Sequence, residues 1–293
     1  MRSEECAATV CGRFFSAADV AAIREFIARN PSATRREIAT WTCDTLRWLR
    51  PNGQLKEMSC RVALLRLEDR GLMRLPPPRK RSGNRKPYCP TETIAVPAEE
   101  VVASVGQLVE PRVRRVETRA DSRLWNEAVS RFHYLGYKRL PGAQLRYLVE
   151  SADRLLGVVG FSASAWKVGP RDSWIGWSPD QRKASLHLVV NNSRFLIVPW
   201  VKSQNLASWI LARCARRLPF DWEVRYGYRP VLLETFVERE RFYGTCYKAA
   251  NWTCIGETQG RGKLDRDHTA SLPRKQIFVY ALERGFRRAL CRR

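Results

Sequence analysis

Phe195-Leu196-Ile197-Val198-Pro199-Trp200-Val201 and, further along the chain, Val231-Leu232-Leu233-Glu234-Thr235-Phe236-Val237 are near-continuous apolar runs of strand length. Short apolar runs bounded by turn residues read as buried strands. Between them Ser203 opens a helix that the pattern carries to Leu218. Downstream, Arg241 to Asn251 reads as a helix, Trp252 to Glu257 as a strand and Gln276 to Leu282 as the last strand. Upstream, Leu124 to Phe132 reads as a helix ended by the loop His133 to Tyr137. Tyr147 to Val149, Leu155 to Phe161 and Leu186 to Val190 read as strands, with Trp166 to Trp177 inserted as an aromatic-rich excursion. Strands alternating with helices place residues 121–293 in an α/β or α+β class.

The N-terminal part reads differently. Ser16 with Asp19, and Thr34 with Glu37, are capping signals that open two helices. A third helix is predicted from about Leu55 to Arg70, ended by Gly71. Its inner face is expected to carry Leu55, Met58, Val62 and Leu65, and its outer face Lys56, Ser59, Cys60, Ala63, Arg66 and Arg70. Small and basic side chains on one face suit a helix entering a DNA groove. Leu72 to Leu75 reads as a strand, and Arg79, Lys80, Arg81, Arg85 and Lys86 follow with no acid among them. Helices, strand and basic loop resemble the winged helix-turn-helix class, so an α+β chain is expected, with a winged-helix-like domain over 1–86. The alternative is a protein-docking helical bundle with a solvated basic loop. Residues 87–120 hold Pro87, Pro90, Pro97 and Pro111 and read as a linker with one short helix.

Composition narrows the function. The chain has 293 residues and a formal charge of +23, divided as +8 before residue 121 and +15 from residue 121 onward. That surplus makes a polyanion the expected partner, since counterion release from phosphate drives association. Nine cysteines are odd in number and never spaced as Cys-x-x-Cys, which argues for reduced thiols. His133, His187 and His268 do not pair with cysteines at zinc-ligand spacing, so no metal site is assigned. The longest apolar runs are far shorter than the roughly 20 residues of a membrane span. With no secretory pattern at Met1-Arg2-Ser3-Glu4, a cytoplasmic protein without membrane contact is expected.

Several segments carry a resemblance. Val190-Asn191-Asn192-Ser193-Arg194-Phe195-Leu196-Ile197-Val198-Pro199-Trp200, Leu206-Ala207-Ser208, Leu233-Glu234-Thr235-Phe236-Val237, Gly244-Thr245-Cys246-Tyr247-Lys248-Ala249-Ala250-Asn251-Trp252 and Gly256-Glu257-Thr258-Gln259-Gly260-Arg261-Gly262 together resemble the DruA family of Druantia anti-phage systems. A related domain occurs in transposases of mobile elements. The resemblance implies genome defence or mobile-DNA biology and supplies no reaction by itself. The element order from Phe195 to Glu257 is also similar to the acyl-CoA-dependent N-acetyltransferase (GNAT) superfamily, and more narrowly to its phage DNA-modifying Mom-like members. That likeness implies acetyl-CoA as a cofactor, with the helix after Phe195 to Val201 receiving a pyrophosphate at its N-terminus. It also implies Tyr247 as general acid. One departure stands out: no glycine lies between Pro199 and Trp209, so Ser203, Gln204 and Asn205 would have to serve as side-chain donors.

Other candidates follow from residue chemistry. Glu234 inside an apolar strand is either a catalytic carboxylate or half of an ion pair with an arginine, because an unpaired buried carboxylate costs several kcal/mol (about 3–5). Tyr247 is either the acid or a core-edge aromatic. Arg261 and Lys263, set among glycines, suit a backbone approach to phosphate. Trp166, Trp174 and Trp177 with Lys167 and Arg171 suit stacking on single-stranded or flipped bases, or else form a packed loop. Asp172, Glu234, Asp265 and Asp267 would be needed for a nuclease or strand transferase using divalent metal. The leading expectation is a DNA-binding defence or mobile-element protein, contacting double-stranded DNA and further defence proteins. An acyltransferase acting on DNA bases or protein is the alternative.

Overall fold

The computed structural model describes residues 7–50, 53–79, 88–140, 142–152, 154–260 and 272–292. They form two units, Met1–Pro87 and Tyr88–Arg293. In the first, a hairpin of β1 (Ala8–Val10) and β2 (Arg13–Phe15) precedes α1 (Ala17–Arg29), α2 (Arg35–Thr45) and α3 (Glu57–Asp69). Ser16 and Thr34 cap α1 and α2 as expected. Each hydroxyl accepts an N–H, from Asp19 and Glu37, whose carboxylates return to the cap N–H groups. Phe15, Ile23, Ile38, Leu64 and Leu67 fill the core beneath them.

Two expectations for this unit fail. Helix α3 faces the other way: Cys60, Ala63, Leu64 and Leu67 are buried, whereas Met58 (60% exposed), Val62 and Leu65 face solvent. The physical reason is close approach. Cys60 and Ala63 are small enough to let α3 settle on α2, where Ala39 and Cys43 are equally buried and the Cys43 and Cys60 thiols are hydrogen-bonded. Packing density outweighs the larger area of Met58. Nor is Leu72 to Leu75 a strand. Met73 and Leu75 are buried in irregular chain, and its backbone is held by side chains instead, Leu75 N–H donating to Glu68 and Arg24 donating to the Leu72 carbonyl. The only strands among the described residues of this unit precede α1.

The second unit begins earlier than expected. Residues read as a linker supply β3 (Val101–Ser104) and β4 (Arg112–Arg115), and β4 pairs with a core strand. Then come α4 (Arg119–Phe132), β5 (Gln144–Ser151), β6 (Arg154–Ala163), α5 (Gly169–Ile175), α6 (Pro179–Ser185), β7 (Val189–Ile197), β8 (Val201–Gln204), α7 (Leu206–Tyr226), β9 (Leu232–Glu238), α8 (Thr245–Ala249), β10 (Thr253–Glu257), β11 (Lys275–Ala281) and α9 (Phe286–Leu290). Seven strands form one mixed sheet in the order β10-β11-β9-β7-β6-β5-β4, antiparallel except between β7 and β9, while β3 and β8 make a separate parallel pair.

Glu127 explains why the supposed linker is ordered. This buried carboxylate of α4 accepts from the hydroxyls of Thr91 and Thr93 and from the N–H groups of Thr93 and Ile94, and it pairs with Arg131. Burial alone would raise its carboxyl, but the hydrogen bonds from Thr93, Ile94 and Thr91 prevail and hold it at about 2. Prolines signalled irregular chain correctly. They could not signal that the chain is clamped.

The α2–α3 contact is open to test. Ala63→Leu is expected to lower stability by about 1–3 kcal/mol through overpacking, and Met58→Lys to change it by less than about 0.5 kcal/mol. Denaturant unfolding of the full chain with a probe in the first unit checks both; the reverse order would restore the face expected from the sequence.

Candidate functional site

Strands β7 and β9 are parallel neighbours for three residue pairs only, Val189↔Leu232, Val190↔Leu233 and Asn191↔Glu234, after which they part. A bulge helps to separate them. On β7, Asn192 pairs with Phe161 and Arg194 with Gly160, leaving Ser193 as the extra residue, and a bulge bends its strand. The parted ends border a cavity of about 790 Å³, walled also by residues 132–135 at the end of α4 and by residues 242–247 at the start of α8. Gly244 opens α8 with φ +66°, and a side chain there would strike the ring of Phe278, so only glycine lets the helix sit so close to the sheet.

Tyr247, on α8, is buried at this cavity. Its hydroxyl donates to Asn192 Oδ1 at 2.7 Å and lies 3.4 Å from Thr235 Oγ1. The Asn192 amide is turned by its own donations, Nδ2 to the carbonyls of Gly160 and Arg194, both at 3.2 Å. Phe278 stacks on the Tyr247 ring, and Phe195 and Trp252 meet it edge-on. Burial pushes the phenol above its ordinary value, so it keeps its proton throughout the physiological range. Two further polar atoms on the cavity wall, Ser164 Oγ and Asn191 Oδ1, are buried without a partner among the described residues.

Glu234 takes the ion-pair role that its position allowed. It is fully buried, accepting from Arg171 Nη1 at 3.0 Å and from the Ala165 N–H at 3.3 Å. Burial pushes its carboxyl upward and the guanidinium opposes that. Arg171, expected to reach nucleic acid, is itself fully buried; its Nε and Nη2 bind Asp172, which also accepts from Trp177 Nε1 and Arg182. Thus Arg171 does not face solvent, and Glu234 is half of a buried ion pair at the point where β7 and β9 separate.

The other expected residues are scattered. Ser203, half-buried on β8 with an unpartnered Oγ, and the exposed Gln204 and Asn205 are absent from the cavity walls. Helix α7 is capped by Asn205 at φ +64° rather than by Ser203, and runs through Pro219 to Tyr226 instead of ending at Leu218. Lys167, Arg66, Arg70 and Arg79 are exposed, and Lys56 is half-buried. Lys80, Arg81, Arg85, Lys86, Arg261 and Lys263 lie outside the described residues, as do Asp265 and Asp267. Among the described residues no three His, Cys, Asp or Glu side chains could share a metal ion, and no helix is long and apolar enough to cross a membrane. Among the cavity residues not foreseen as site residues are Asn192, His133 and Arg194. A basic residue directly before the apolar run Phe195 to Val198 was the available signal for Arg194.

The chain matches the family described as "Druantia protein DruA" over residues 66–275. No curated protein sequence gives a significant match. Among solved structures it is similar to an acetyltransferase of the GNAT family from Streptococcus pneumoniae, with 12% identity, 59% of this chain and 100% of that chain covered and a TM-score of 0.39. A polyamine N-acetyltransferase from Drosophila melanogaster gives 12% identity, the same coverage of both chains and a TM-score of 0.38. The N-acetyltransferase PseH of Campylobacter jejuni, solved in complex with acetyl coenzyme A, gives 9% identity, 49% and 71% coverage and a TM-score of 0.30.

The buried ion pair yields a test. Arg171→Met leaves Glu234 without its counter-charge and is expected to cost about 3–5 kcal/mol, whereas adding Glu234→Leu recovers most of that loss. Denaturant unfolding of the single and double variants measures it, and equal losses in both would deny the pairing its structural role.

Proposed function

The chain belongs to the DruA family, and from that premise we propose that its second unit is an acyl-chain-binding cleft of the transferase type, serving anti-phage defence. The carrying observation is the early end of β7–β9 pairing. Backbone N–H and C=O groups along both parted edges border an apolar-walled cavity, and such groups call for partners. An extended ligand bearing amides supplies them, as an added strand would.

The cavity fits the acyl and amide portion of acetyl-CoA, held between Phe195 to Ile197 and Thr235 to Val237. It does not include Ser203, Gln204 or Asn205, so the diphosphate portion lacks the partners expected from the sequence. When bound, such a cofactor supplies an activated acyl group. Tyr247 holds a proton at its hydroxyl oxygen, oriented by Asn192, and its place is to give that proton to a leaving atom in the cavity. Calorimetric titration with acetyl-CoA and with a short acyl thioester lacking the diphosphate tests the reading. Both are expected to bind with similar affinity, and Tyr247→Phe to keep binding while lowering acyl turnover about 10²–10⁴-fold. Absence of heat with either compound overturns it.

A second reading, nucleic-acid contact, draws on a different surface. Trp166 is 58% exposed with the Arg182 guanidinium 5.5 Å from its ring, and Arg287 lies 4.4 Å from the ring of Trp174, which stacks on Phe286. Helix α9, carrying exposed Arg287 and Arg288, packs on α6. Aromatic rings beside guanidinium groups are the chemistry that holds bases and phosphates. Gel-shift titration over a salt series is expected to show affinity falling steeply with salt, and Trp166→Ala with Arg287→Ala to weaken it at least tenfold. Salt-independent or unchanged binding would sink this reading.

A further inference from the structure

Arg194 is a buried cation with no counter-charge among the described residues. It is 9% exposed, and its one hydrogen bond among the described residues is from Nη1 to the Ser193 carbonyl. No described carboxylate lies within ion-pair distance of it. Elsewhere this protein behaves in the ordinary way: Arg171 is held by two carboxylates, and Glu238, near Tyr134, is taken by Arg241 at 3.1 Å. Leaving a guanidinium buried and unpaired is costly, and burial does pull it below its usual range.

Its position is specific. Because Ser193 is the bulge residue, Asn192 and Arg194 face opposite sides of the sheet. A side chain at Gly160 would meet both the Trp125 ring and Arg194 Cβ, which places Arg194 on the side covered by α4, opposite Tyr247. His133 and Tyr134, directly after α4, share the cavity wall with it. Nδ1 of His133 accepts the N–H of Leu135 at 3.1 Å, which assigns the ring proton to Nε2. Burial, with the charge of Arg194, holds this histidine at about 4, so it stands beside Arg194 as a neutral donor.

We propose that the α4 side of the cavity binds an organic monoanion, its carboxylate or phosphodiester group paired with Arg194 and its apolar or aromatic body lying among Phe132, Leu135, Leu196 and Phe242. With Nη1 occupied by Ser193, the remaining Nε and Nη2 edge is the fork that matches two oxygens of one oxyanion. One guanidinium neutralises one negative charge, and the neighbouring walls are apolar, so a single-charged head on an apolar body is the complementary shape. The inference rests on the cavity being a ligand site, as proposed above, and names the chemistry of its other half.

The test uses the full chain and calorimetric titration with phenylacetate, a dinucleoside monophosphate and neutral phenylacetamide. One of the two anions is expected to bind at least tenfold more tightly than the amide, and which one it is identifies the source of the oxyanion. Arg194→Met should abolish that preference, and Arg194→Lys, which keeps charge without the fork, should retain part of it. Thermal unfolding separates binding from structure: Arg194→Met is expected to leave the free protein as stable as before or more so, because an unpaired buried charge is removed. No preference for either anion, or an Arg194→Met protein that unfolds earlier or fails to fold, overturns the proposal. Short acyl thioester binding, measured on the same variants, is expected to persist, so that a failure there counts against the acyl cleft and leaves the anion result to be judged alone.

Discussion

The Arg171–Glu234 ion pair is the constraint around which the second unit is arranged. Glu234 sits at the last residue pair of the parallel contact between β7 and β9, and the ion pair ties the α5–α6 excursion to β9 through Ala165, Asp172 and Trp177. Two charges in an apolar interior have little value unless each is fully satisfied. Here the guanidinium is saturated by two carboxylates and a carbonyl. The chain therefore cannot let α5 part from β9 without stranding a charge.

Around the point where β7 and β9 separate, the two sides of the sheet are chemically unlike. On one side a neutral, proton-bearing phenol is locked by Asn192 among aromatic rings. On the other a guanidinium and a neutral imidazole face the same space with no acid among the described residues that line it. A bulge of one residue, Ser193, is what turns Asn192 and Arg194, two positions apart on β7, to opposite faces. In a regular strand Asn192 and Arg194 would share a side, and the division of labour would not exist.

Much of this was legible before the structure. Apolar runs and capping pairs located α1, α2, α4, β6 and β9, and the family resemblance carried by the segments from Val190 to Gly262 holds. What was hidden depended on partners distant in sequence. Met58, Val62 and Leu65 have the right spacing for a core face, yet Cys60 and Ala63 win it because α2 can approach them. Leu186 to Val190 and Phe195 to Val201 read as two strands, because Asn191, Asn192 and Ser193 look like a turn. In the sheet Val189, Val190 and Phe195 to Ile197 lie within one strand, β7, where the bulge absorbs the polar residues. Arg171 has the composition of a surface cation, and only the fold reveals a carboxylate waiting beneath it.

The clamp of Thr91, Thr93 and Ile94 on Glu127 has an evolutionary corollary. A chain recombined between Pro97 and Pro111, where prolines invite a cut, would leave a carboxylate in the interior stripped of its donors. The workable seam lies ahead of Tyr88. If relatives exchange their leading helices for other modules, the donor segment should travel with the sheet as inherited cargo.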